Sequence, residues 1–216
     1  MPSLVGSEMC IRDSLHTGPV ATRYLYAAEY EKHIAKYLKF KHILVIPDEF
    51  GGAMDEATFM PWVHLRDSLK KCGKDVQLEI ESFTLEFGSE ETFCMESAAK
   101  DVESIINYLK YKGLIEGTPN HIDHNSCQLE HFKTIYSPTG GLVDYHFEPG
   151  QAYKKGDTLA SFYNLKNIDP KNPIESSKST VNASSDGTII NRCPSSSVHQ
   201  GMELFQVMTV LNETRY

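Results

Sequence analysis

Two residues stand where chemistry could be done. Glu86, within SFTLEFGSEE (residues 82 to 91), is a carboxylate closing a β-prone run and followed at once by Phe87 and Gly88. The carboxyl ends of strands border the ligand clefts of open α/β sheets, and a carboxylate sheltered there has the raised pKa that a general acid or base needs near neutrality. The same run admits a second reading, in which Glu79, Glu81 and Glu86 face solvent along an edge strand. His16, within LHTGP (residues 15 to 19), sits before a Thr-Gly-Pro that ends any regular element abruptly. An imidazole presented on such a loop can offer neutral nitrogen to zinc, although a lone histidine is equally an ordinary surface residue. His121, His124 and His131 are further imidazoles. Their segment lacks the helical period that would set all three on one face, so a second metal site is not expected there.

The elements that must position these residues can be read from periodicity. Spacing predicts a helix over YLYAAEYEKHIAKYL (24 to 38), then a buried strand at HILVIP. MPWVHLRDSLKKCG repeats the helical signal up to a stop at Gly73, and VQLEIESFTLEFG reads as extended. The longest helical pattern, EETFCMESAAKDVESIINYLKYKGLIEG, places Ala98, Val102, Ile105, Ile106 and Leu109 on one stripe, with Gly113 as a C-cap. Helices alternating with buried strands predict an α/β layer. After Gly117 the composition shifts to short β-prone pieces separated by turn signals such as Gly140-Gly141, Glu148-Pro149-Gly150 and Asp186-Gly187, which predicts an all-β module. The expected organisation is an α/β domain over 15–117, a linker over 118–136 and a β domain over 137–212. MPSLVGSEMCIRDS (1 to 14) has no clean period and reads as a non-native scar joined to a native text that starts near Leu15 and is truncated upstream; a native disordered tail is the alternative.

Composition limits the function classes. With 21 basic against 29 acidic residues, the formal charge is -8, and only short pairs such as Lys70-Lys71 and Lys154-Lys155 are basic, so no nucleic-acid surface is expected. No apolar run approaches the ~20 residues that span a bilayer, so no membrane partner is expected either. The 5 cysteines are scattered without a CxxC pair, which predicts reduced thiols in a cytoplasmic protein. Asn182-Ala-Ser and Asn212-Glu-Thr match the glycosylation pattern and are read as chance matches.

Taken in order, LHTGP, FTLEFG about 70 residues later, a helix, and then GGLVDYHFEPGQAYKKGDTLASFYN, ASSDGTIINR and VHQGMELFQV resemble the succinylglutamate desuccinylase/aspartoacylase family of the zinc carboxypeptidase-like superfamily. The similarity runs from Leu15 to Val210. It implies a partial zinc carboxypeptidase-like α/β/α domain followed by a small β domain of the biotinyl/lipoyl-like hybrid-barrel type. It also implies a zinc-dependent hydrolase of a linear amide bond, acting on a small acylated amino acid or similar substrate. On this resemblance His16 is a zinc ligand and Glu86 the catalytic carboxylate, taking a proton from the attacking water and delivering one to the leaving amine.

The chain departs from the family pattern in places. No H-x-x-E occurs in it, Ser14 stands where the family has Asp, and the family's upstream Asn-Arg substrate contacts have no counterpart before His16. One histidine cannot hold a catalytic zinc, so the chain by itself is expected to be inactive. A metal-free binding module on the same fold and a zinc carboxypeptidase are the alternatives. Lys154 and Lys155 lie in the turn where carrier domains present a modified lysine, but no Met-Lys pair occurs, so a swinging-arm role is not expected. Tyr145 and His146 are open between substrate contact and strand packing, and oligomerisation is likewise open.

Overall fold

A computed structural model describes residues 24–28, 32–47, 54–76, 81–87 and 94–215. The first element is β1 (Tyr24–Ala28). It overturns the front half of the helix expected over residues 24–38; the helical part begins only with a 3-10 turn at Lys32–Ile34 and continues as α1 (Ala35–Leu38). Pairing on both sides decides the matter. β1 lies parallel to β2 (His42–Ile46) and antiparallel to β3 (Phe83–Glu86), and a central sheet position overrides a weak local period.

β2 is buried at every position, as expected of a parallel strand covered on both faces. It is followed by α2 (Met54–Lys71), then β3, then α3 (Met95–Tyr111), and the chain returns to the sheet as β4 (His124–Gln128), parallel to β2. β5 (Phe132–Tyr136), β6 (Gly141–Tyr145), β7 (Ala152–Tyr153) and β8 (Thr158–Tyr163) follow. After the short α4 (Pro173–Ser177) come β9 (Lys178–Asn182), β10 (Gly187–Arg192), β11 (Ser197–Val198), β12 (Glu203–Met208) and β13 (Asn212–Thr214).

The first sheet runs β13-β4-β2-β1-β3, with a parallel centre and antiparallel edges. Residues 118–136, read from composition as a linker, carry β4 and β5, and the last strand, β13, pairs with β4 in the first sheet (Asn212↔Ser126, Thr214↔His124). Polar composition hid β4 because His124, Asn125 and Ser126 occupy a central strand. The β region forms two four-stranded sheets, β5-β12-β10-β7 and β11-β6-β8-β9. They share a core that includes Val143, Leu159, Phe162, Ile189, Leu204 and Phe205. The two sheets bury one common face, and no closed barrel is found among the described residues.

Alternation along β2 explains how the two regions meet. Ile43 and Val45 join Ile34, Leu38 and Phe40 in the core under α1 and α3, with Phe83, Leu85 and Tyr108 against it. Leu44 points the other way and packs with Cys127, Ile190 and Met208, so the opposite face of the sheet is met by β10 and β12. No helix among the described residues is long and apolar enough to cross a membrane.

The orientation of α3 differs from a simple reading of its stripe. Val102, Ile105 and Ile106 are 54%, 40% and 39% exposed, whereas Ser104 and Asn107 are buried. Polar anchoring sets this rotation. The Asn107 amide donates to the carbonyls of Tyr37 (2.5 Å) and Asn120 (2.6 Å) and accepts from the Asn120 N–H (2.8 Å). Tyr111 stacks on Tyr37 with ring centroids 3.8 Å apart. The helix ends as expected at Gly113, whose φ of 69° suits glycine.

Candidate functional site

Glu86 is the last residue of β3 and is half-buried. Because β3 runs antiparallel to β1, Glu86 pairs with Tyr24, the first residue of β1; Tyr24 pairs with His42, and His42 with Asn125. The carboxyl end of β3 therefore lies at the amino ends of the parallel strands. This corrects the expectation drawn from open parallel sheets, which would set Glu86 beside the strands' carboxyl ends; an antiparallel edge strand reverses the sense. His16 lies outside the described residues, as does Glu79. In sequence His16 precedes Tyr24 by eight residues, and Tyr24 is the residue across from Glu86.

The second carboxylate near β3, Glu81, has a structural assignment. Lys112 Nζ donates to Glu81 Oε1 at 2.9 Å, and the Tyr108 hydroxyl donates to Glu81 Oε2. Burial pushes the Glu81 pKa up, but the hydrogen bonds from Tyr108 and Lys112, with the Lys112 charge, outweigh it and leave the carboxyl below its usual range. Glu81 thus fastens the β3 segment to α3.

Two buried histidines lie nearby: His42 is in this row, and His124 stands one position before Asn125 on β4. His42 is 4% exposed, and its Nδ1 has no hydrogen-bond partner among the described residues. Burial, reinforced by the Lys41 charge, lowers its pKa to about 4, so the ring is neutral at pH 7. Sequence reading passed over His42 because it sits in an apolar run. His124 is buried on β4, its pKa lowered by burial and then by Lys32 and Lys36. His121 is exposed, and His131 lies 3.4 Å from Glu130. Among the described residues no three His, Cys, Asp or Glu side chains converge as a metal site.

The remaining candidates have structural explanations. The Tyr145 hydroxyl donates to the Ser195 carbonyl (3.1 Å), its ring meets Phe205 edge-on, and the Arg192 guanidinium lies 4.7 Å over it. Burial, with a contribution from Cys193, pushes the phenol far above its usual range. His146 Nε2 lies 3.1 Å from Ser161 Oγ. Lys154 Nζ donates to Asp186 at 2.9 Å, and Asp186 also accepts from the Lys155 N–H, so this turn is tied to the one before β10. Cys72, Cys94, Cys127 and Cys193 are free thiols, and burial pushes the Cys127 pKa up to about 11.

The fold is shared with deacylase-family proteins of known structure. The chain is similar to a succinylglutamate desuccinylase/aspartoacylase family protein from Shewanella amazonensis SB2B at 34% identity and a TM-score of 0.82, over 92% of this chain and 54% of that one. It is similar to a succinylglutamate desuccinylase/aspartoacylase from Shewanella frigidimarina NCIMB 400 at 31% identity and a TM-score of 0.80, over 92% of this chain and 53% of that one. A succinylglutamate desuccinylase/aspartoacylase from Rhodobacter sphaeroides, 15% identical with a TM-score of 0.59 over 90% of this chain and 55% of that one, shares the fold. No protein-family model matches the chain, and no curated protein matches it in sequence. The chain belongs to the succinylglutamate desuccinylase/aspartoacylase family and spans about half the length of the solved relatives.

Proposed function

We propose that the chain carries the catalytic-glutamate part of a zinc-dependent amidohydrolase that removes an acyl group from an amino acid or similar small substrate. The observation that carries this reading is the placement of Glu86: half-buried, closing β3, and opposite the residue that follows His16 by eight positions. The names of the relatives at 34% and 31% identity support it.

Glu86 has the chemistry for both proton steps. Its carboxylate takes a proton from water as the oxygen attacks the amide carbonyl, and returns a proton to the departing nitrogen. One water is consumed, the C–N bond breaks, and a carboxylic acid and an amine leave. Zinc would supply Lewis-acid polarisation to such a reaction. The described residues do not fit the ion by themselves, because a catalytic zinc takes three protein ligands and no such trio is present among them. The 216-residue chain alone is therefore proposed to lack turnover.

The test joins this chain to the part of the Shewanella amazonensis relative that it does not span, and measures zinc content and hydrolysis of N-acetyl and N-succinyl amino acids and of a short peptide. The joined protein is expected to bind zinc and to prefer the acylated amino acids, while the chain alone does neither. Binding of acyl amino acids with neither zinc nor turnover would replace this reading with a metal-free binding module. Cleavage of the peptide alone would replace it with a carboxypeptidase.

A further inference from the structure

The β region holds a cleft of about 450 Å³ that the hydrolase reading does not use. Three chain pieces border it: the start of β6, the residues after β8, and β11 with the turn that follows. Val198 is buried, while Leu142 and Leu165 are 47% and 63% exposed, giving the cleft an apolar side. Among the described residues, Lys166 and His199 are its only ionisable lining residues and no carboxylate lines it, although the chain carries a formal charge of -8. The Lys166 ammonium has no hydrogen-bond or ion-pair partner among the described residues; only its backbone N–H is engaged, by the Asn164 side chain at 3.0 Å.

The cleft is held open by backbone structure. The Asn164 cap fixes the 3-10 turn Leu165–Asn167 that carries Leu165 and Lys166. The turn after β11 is pinned by Met202 N–H to His199 O (3.2 Å) and Gly201 N–H to Ser137 O (2.8 Å). β6 approaches β8 so closely that a Cβ at Gly141 would lie 2.6 Å from the Tyr163 carbonyl oxygen, so only glycine fits there. A recess of this volume, apolar on one side with a lysine at its border, has the character of a small-molecule site.

We propose that this cleft binds an amphiphilic organic carboxylate, its anionic end held by Lys166 and its hydrocarbon part against Leu142, Leu165 and Val198. A bare inorganic anion would leave the apolar side wet, and a neutral amphiphile would leave the Lys166 charge without a counterion. The assignment does not rest on the hydrolase reading.

The test is an NMR titration of the 216-residue chain with hexanoate, 1-hexanol and inorganic phosphate, following the backbone amides of Leu142, Lys166 and His199. Hexanoate is expected to shift these amides saturably at millimolar concentration, with hexanol weaker by about tenfold or more and phosphate unsaturated. Lys166→Glu, at an exposed position that leaves amide dispersion intact, is expected to remove the hexanoate response. Absence of a saturable shift at these amides would overturn the proposal. So would hexanol or phosphate matching hexanoate, or a response that Lys166→Glu leaves unchanged.

Discussion

At the scale of single residues, the two carboxylates of the β3 region divide cleanly by what holds them. Glu81 is tied to Tyr108 and Lys112, so Glu81→Gln is expected to lower stability by about 1–2 kcal/mol, since hydrogen bonds to a charged group exceed neutral ones. Turnover of the joined enzyme should survive that change. Urea unfolding beside an activity assay checks both, and a catalytic loss without a stability loss would assign Glu81 the role given to Glu86. His42 gives a pH dependence of determinable sign. Its folded pKa of about 4 lies below the ordinary 6.5, so as pH falls the unfolded chain takes up the proton first. The associated stability is complete above about pH 6.5 and is lost as pH falls toward 4, in total about 3 kcal/mol at 1.36 kcal/mol per unit. His42→Phe should flatten most of that slope in urea titrations at pH 7 and pH 4.5, His124 retaining a remainder of the same sign. An unchanged slope would show that His42 titrates normally.

At the scale of elements, sequence reading succeeded where one signal dominated. The apolar run HILVI became β2, Gly113 became the end of α3, and the turn glycines marked out the β strands. It failed where partners distant in sequence decide: residues 24–28 join a sheet on both edges, and the polar text of β4 is central because β2 and β13 flank it. Of the candidate site, Glu86 was legible as a strand-ending carboxylate, but the direction of β3 was not, because pairing sense leaves no trace in a single strand's sequence. The rotation of α3 was hidden likewise, since three hydrogen bonds of Asn107 outweigh the apolar stripe. Asn107→Leu should cost about 1–3 kcal/mol, because it removes the partner of two part-buried carbonyls and one N–H. A thermal unfolding curve matching the parent would show that packing, and not this amide, seats α3. Close backbone approach makes a similar demand at Gly187, where a Cβ would lie 2.9 Å from the Met208 carbonyl oxygen.

At the scale of the whole molecule, Leu44, Cys127, Ile190 and Met208 form a core shared between the first sheet and the β region, and β13 carries the chain end back to β4. The two regions should therefore unfold together. Leu44→Ala is expected to cost about 2–5 kcal/mol and to shift the Trp62 fluorescence transition and the far-UV transition equally. Separate transitions would mean that the shared core does not couple them. The shared core also gives the family resemblance its physical content, because it joins the strand system that ends in Glu86 to the β sheets behind it. The most direct measurement of the central assignment is the turnover number of the joined enzyme carrying Glu86→Gln, with bound zinc quantified in the same sample. Loss of about 100-fold or more in turnover at unchanged zinc content is the predicted result. Undiminished turnover would remove Glu86 from the proton transfers and contradict the account.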